Sequence, residues 1–133
     1  MREIVLETER KLQLIEVTEQ IREALGDTNG ASAALIYVPH TTAGVAINER
    51  IDPELVTDLE NAFNRVVGDD WEWKHEDEDG PNAPSHARAS LASSPQVLIP
   101  LKDGGLALGT YQGVFFCEFD GPRERKIYVT TLS

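Results

Sequence analysis

The sequence is poor in cysteine, in basic residues and in long apolar runs, and each shortage closes off a class of function. A single cysteine, Cys117, stands in 133 residues. No intrachain disulfide can form, and a reducing compartment fits. No stretch approaches the roughly 18 consecutive apolar residues of a bilayer-crossing helix. Met1-Arg2-Glu3 opens nothing that reads as a secretory signal. A cytoplasmic protein with no membrane partner is the expectation. The 12 lysines and arginines face 23 acids, for a net charge of -11. A phosphate backbone would repel such a chain unless it carried a separate basic patch. The only dense basic group is Arg123, Arg125 and Lys126, so nucleic acid is not an expected partner. Also missing are HExxH, a paired Cys-x-x-Cys and a phosphate-cradling glycine loop.

What is present suits one domain over residues 1–133, with 41% hydrophobic and 26% charged residues and enough chain to bury an ordinary core. Ile4-Val5-Leu6 and Leu12-Gln13-Leu14-Ile15 read as two strands joined by a polar turn. Thr18 is placed to cap a short helix ended by Gly26, with Ile21, Ala24 and Leu25 on one face. Ala31 to Val38 is nearly continuous apolar sequence, the pattern of a strand covered on both faces. Asp52-Pro53-Glu54 is a strong helix start, and the stripe Leu55, Leu59, Ala62, Phe63, Val66 predicts a helix over about 53–67. Residues 68–84 show no period, contain Trp71 and Trp73, and carry four consecutive acids, Glu76 to Asp79. Structureless segments of that length in a small domain are often functional. Ser85 is placed to cap a further helix carrying His86 and Ala89. Gln96–Leu101, Leu108–Phe119 and Lys126–Thr131 read as strands. The order predicts an α+β domain with a large mixed or antiparallel sheet and two to three helices.

Tyr37-Val38-Pro39-His40-Thr41-Thr42-Ala43 interrupts two strand-like runs with a proline, a histidine and two hydroxyls. Polar side chains held between strands are where sites sit. Of the three histidines, His40, His75 and His86, each taken singly is more often a structural hydrogen-bonding residue than a ligand. If Ser85 is the cap, His86 lies in the first helical turn, where the positive helix end favours a neutral ring able to ligate or polarise. The same helix end offers a place for phosphate. Arg123 and Arg125 beside Asp120 suit a bidentate clamp on phosphate or carboxylate, or a surface ion-pair cluster. Gln112 and Glu118 share one strand face, a place for a general acid or base if that face is a pocket. Cys117, alternating with Phe115 and Phe119, reads as core.

Five pieces in order, His40-Thr41-Thr42-Ala43, Ile47-Asn48-Glu49, Asn82-Ala83-Pro84-Ser85-His86, Leu108-Gly109-Thr110-Tyr111-Gln112 and Phe119-Asp120-Gly121-Pro122-Arg123-Glu124-Arg125, resemble the YjbQ-like family of secondary thiamine-phosphate synthase enzymes. The chain departs at Leu91-Ala92-Ser93-Ser94, where the family usually has a glycine. The resemblance implies one large mixed sheet and a homotrimer with sites near subunit boundaries. It implies a transferase that joins hydroxymethylpyrimidine diphosphate to thiazole phosphate with release of pyrophosphate. The alternative is a trimer that binds a metal or small molecule without significant turnover. Carried over position by position, His40, His86, Glu49 and Asp120 are the catalytic candidates. Thr41, Thr42, Asn82, Gln112, Arg123 and Arg125 are the candidates for holding a small phosphorylated substrate. His40 and His86 are the candidate metal ligands. Mg²⁺ would suit the diphosphate and Zn²⁺ the imidazoles.

Overall fold

The computed structural model describes residues 1–76 and 80–133. Among these described residues, eight strands and three helices follow in the order β1 (Arg2–Glu7), β2 (Gln13–Glu16), α1 (Thr18–Leu25), β3 (Ala33–Tyr37), β4 (Ala43–Glu49), α2 (Pro53–Arg65), α3 (Ala83–Ala92), β5 (Gln96–Lys102), β6 (Gly105–Leu106), β7 (Gln112–Glu118) and β8 (Glu124–Leu132). The α+β class, with three helices, is as expected. The strands divide into a five-stranded sheet, β1-β8-β3-β5-β6, and a three-stranded sheet, β2-β7-β4. All their pairings are antiparallel. The polar turn after β1 therefore makes no hairpin: β1 pairs with β8 in one sheet and β2 with β7 in the other.

Alternation along the strands explains the layering. Ile36, Val129 and Ile127 from the larger sheet meet Val45, Val114 and Phe116 from the smaller one in a closed core, joined by Ile21 of α1. The opposite face of β7 presents Phe115 and Cys117, which with Leu14 and Phe119 form a second core under α2 and α3. β7 is buried on both faces from Gly113 onward, which is why its sequence reads as unbroken apolar and aromatic. Cys117 is core as expected, and burial pushes its thiol up to about 12, so no thiolate forms near neutral pH.

The helix starts divide into one as expected and two that differ. The Asp52 carboxylate accepts from the Glu54 N–H and Pro53 takes the first turn. The packed stripe of α2 is Val56, Leu59 and Phe63, whereas Ala62 and Val66 face solvent. Thr18 is no cap. It is the first residue of α1, and its hydroxyl accepts from the Val114 N–H, 96 residues away, where β2 has ended and can no longer pair with β7. Ser85 is no cap either: α3 starts two residues earlier, after Asn82. Trp71 and Trp73 stack on each other with centroids 5.8 Å apart, and the Trp73 indole N–H donates to the Gly68 carbonyl. Most of the acidic run, Asp77 to Asp79, lies outside the described residues. Among the described residues no helix is long and apolar enough to cross a membrane.

Candidate functional site

Three connections cross between the two sheets at one end of the sandwich: β1 to β2, β3 to β4, and β7 to β8. The space between the sheets would open there, and a buried polar cluster closes it. Glu118, the last residue of β7, is fully buried. Its carboxylate accepts from the Thr8 hydroxyl (2.8 Å), from Arg125 Nε (2.8 Å) and Nη2, and from the Asp120 N–H (3.0 Å). Arg125 is itself 4% exposed, and its Nη2 also donates to the Thr42 hydroxyl at 2.8 Å. With every carboxylate oxygen engaged, the pair meets the condition under which a buried ion pair holds one geometry. Glu118 is thus no general acid or base; it shapes the three crossings.

On this cluster sits an open pocket of about 730 Å³. The β3–β4 loop contributes His40, Thr41 and Thr42; the start of α3 contributes Asn82 and His86; the β7–β8 turn contributes Arg123 and Arg125. Seven of the sequence-derived candidates are therefore brought together. Asp120 stands just behind them. It accepts from Arg123 Nη2 (2.7 Å), Asn82 Nδ2 (3.3 Å) and the Ser85 hydroxyl (3.3 Å), so it ties the turn to α3. Partial burial pushes its carboxyl up, but the hydrogen bonds from Arg123, Asn82 and Ser85 outweigh that and hold it below the ordinary carboxylate range. Asp120 is an anionic anchor and does not donate a proton near neutral pH.

Glu49 and Gln112 are not at this pocket within one chain. They pair with each other at the far end of the β4–β7 ladder, whose near end is Ala43 opposite Glu118. Six residue steps at about 3.4 Å put them about 20 Å away. Gln112 is occupied locally, accepting from the Gly109 N–H at 2.7 Å.

His40 is positioned by the proline before it. The β3–β8 ladder stops at Tyr37 opposite Tyr128, and Pro39 ends strand pairing. The Lys126 N–H that a longer β3 would have met donates instead to His40 Nε2, at 2.9 Å. Burial, and then the charge of Arg125, lower the His40 imidazole below its ordinary range. The ring is neutral with its proton on Nδ1, because Nε2 is the acceptor. That leaves no lone pair for an ion, so a metal shared by His40 and His86 does not fit this donor set. For Mg²⁺ the nearby carboxylates, Asp120 and Glu118, are already held by arginines.

The expected anion site at the start of α3 is also reduced. Pro84 has no N–H, and those of Ser85 and His86 turn back onto the Asn82 carbonyl at 3.0 and 3.3 Å. The residue that the carried-over set lacked is His75. Its ring lies edge-on to that of His86, with centroids 5.0 Å apart at 87°. The only sequence signal for it was a histidine within the long irregular segment.

Comparison with known proteins places this architecture. The family model for UPF0047 protein YjbQ-like matches residues 2–133. A UPF0047 protein of Methanocaldococcus jannaschii is 39% identical over 128 residues, covering 96% of this chain and 90% of its own. The UPF0047 protein YugU of Bacillus subtilis is 38% identical, with 99% and 98% covered. A crystal structure of an uncharacterized YjbQ/UPF0047 protein from Clostridium acetobutylicum superposes with a TM-score of 0.87 at 36% identity, covering 99% of this chain and all of that one. A hypothetical protein from Aeropyrum pernix has the same TM-score and identity, with 98% and 96% covered. The chain belongs to the YjbQ-like UPF0047 family.

Proposed function

We propose that the pocket holds a small phosphorylated substrate and supports slow transfer of the thiamine-phosphate-forming type, in which pyrophosphate leaves a benzylic-type carbon and a thiazole nitrogen takes its place. The observation that carries this reading is the convergence of two arginines, a neutral histidine and an amide on one open pocket in a chain of net charge -11. In such a protein a cluster of donors is informative, since a phosphorylated ligand would be repelled elsewhere. His40 Nδ1–H and the exposed Thr41 hydroxyl would donate to phosphate oxygens, as would the Nη1 group of Arg125 not engaged by Glu118. His86, at the pocket wall, would meet the leaving group.

The homotrimer belongs to the same proposal. The outer face of the five-stranded sheet carries exposed Val5, Tyr37, Leu98 and Leu132, an apolar patch of the kind that marks contact surfaces. Tyr37 also lines the pocket, so a subunit docked on that face would reach the site. The lone thiol suits the cytoplasm as the location.

A second reading, binding without turnover, draws on the charge balance. Arg125 is matched by Glu118 and Arg123 by Asp120, so the side chains leave little excess positive charge for a departing pyrophosphate. Pyrophosphate release from hydroxymethylpyrimidine diphosphate and thiazole phosphate separates the two. The transferase predicts slow release by the wild type, cut about 100-fold in His86→Ala with assembly unchanged. No release from the wild type would favour the binding reading, and unchanged release in His86→Ala would move the chemistry elsewhere.

A further inference from the structure

We propose a transition-metal site on His75 and His86, set apart from His40 and taking Zn²⁺ or a similar borderline-soft divalent ion. Three observations carry it. The two imidazoles meet with centroids 5.0 Å apart and planes at 87°. A metal–nitrogen bond of about 2.0–2.1 Å puts an ion about 3.2 Å from each ring centre, and a tetrahedral angle then sets the centroids about 5.2 Å apart. The rings already stand at the spacing of a two-histidine chelate. They also line a cavity of about 150 Å³ together with Ala83, which leaves space for an ion and its remaining ligands. Both rings are reached from solvent, His75 exposed and His86 half-buried.

The third observation is electrostatic. The arginines around the adjoining pocket are each paired with a carboxylate, and Lys126 is paired with Glu3. A di- or triphosphorylated ligand would bring two or more negative charges into surroundings already near neutrality. An ion on His75 and His86 would supply the missing charge, because His86 lines both this cavity and the 730 Å³ pocket. Two imidazoles select a transition metal over Mg²⁺ or Ca²⁺, which require oxygen cages. Among the described residues no group of three or more His, Cys, Asp or Glu surrounds a common point. Among the described residues the site therefore has two protein ligands, His75 and His86, and water or phosphate oxygens would take other positions, as in open metal sites. This inference stands without the transfer reaction: zinc binding with no pyrophosphate release would leave it intact.

The test is calorimetric titration of Zn²⁺ into the intact, chelator-treated protein, repeated with Co²⁺ for its visible absorption. One ion per chain is expected in the wild type and in His40→Ala. His75→Ala should weaken binding by at least about 100-fold, more than loss of an outer-shell partner costs, and His86→Ala should do the same. The tetrahedral Co²⁺ bands should vanish with each. His75 lies in an exposed segment, so its variant keeps the fold, which a cooperative melt at the wild-type temperature verifies. Millimolar Mg²⁺ should not compete. Absence of binding to the wild type, or binding unchanged in His75→Ala, would overturn the site. Loss in His40→Ala with retention in His75→Ala would place the ion between His40 and His86 instead.

Discussion

At the scale of the residue, Glu118 and His40 shape the pocket without being free to react. Glu118 has no exposure and accepts from Thr8, Arg125 and Asp120. Replacing it with Gln leaves Arg125 as an uncompensated buried charge, and a loss of about 3–5 kcal/mol is expected in denaturant unfolding. Glu118→Leu combined with Arg125→Met should recover part of that loss, because no buried charge is left uncompensated, although the Thr8 and Thr42 hydroxyls and the Asp120 N–H lose these partners. His40 sets a pH dependence. Its folded-state value is lowered, first by burial and then by Arg125, so the unfolded chain binds the proton more readily. The contribution is present above the ordinary histidine value of about 6.5 and is lost as pH falls below it. Asp120, also lowered, adds a second loss of the same sign below the carboxylate range. Thermal melts from pH 8 down to pH 5 should fall in Tm, and His40→Gln should flatten that fall. An unchanged slope would remove His40 from the account. The sequence made His40 visible through Pro39 and the flanking apolar runs, but its hydrogen-bond partner, a backbone N–H 86 residues on, left no local signal.

At the scale of the element, local chemistry was readable wherever the partner is local. Asp52-Pro53 starts α2 as its sequence dictates, since carboxylate and amide are two residues apart. Thr18 and Ser85 are equally good caps on paper, yet both hydroxyls are claimed by distant strands and turns, Val114 and Asp120. Tertiary hydrogen bonds override cap propensity there. The end of α2 is likewise closed by another element. Arg88 of α3 is 2% exposed and donates to the carbonyls of Phe63 (3.2 Å), Asn64 (2.8 Å) and Val67 (3.0 Å), with Asp69 completing the fork. No residue of α2 is fully buried, so this clamp adds to the partial packing of Val56, Leu59 and Phe63. Arg88→Met should cost about 3 kcal/mol, through buried carbonyls left unpaired. Hydrogen exchange should quicken first in the last turn of α2; uniform quickening across both sheets would contradict the clamp. Nothing in the spacing around Arg88 announced this role, because its acceptors lie 19 to 25 residues back.

At the scale of the whole molecule, the sheet divides because β7 must be buried twice. Its apolar run serves one core with Val114 and Phe116 and another with Phe115 and Cys117. Most strands were legible from their patterns, though β6 was not and β7 begins at Gln112, four residues after the expected Leu108; their partners were not legible, since pairing is a long-range property. The same division gathers three crossings at one end, which is why His40, His86 and Arg125, far apart in the chain, line one pocket. Glu49, which entered by resemblance, and Gln112, which the strand pattern also offered, lie at the other end of the ladder. The proposed trimer is built on the outer face of the larger sheet. Sedimentation is expected to give three times the 14.7 kDa chain mass, and Leu98→Glu, at a 58% exposed apolar position on that face, to give the single chain. A trimer that survives Leu98→Glu would place the interface elsewhere.

The central claim is that the pocket at the sheet crossings is an anion site. Titration of inorganic pyrophosphate, followed by amide and imidazole chemical shifts, tests it most directly. Saturable shifts are predicted at Thr41, Thr42, the Lys126 N–H on His40 and the His86 ring. Shifts confined to other surfaces, or none at millimolar pyrophosphate, would contradict it.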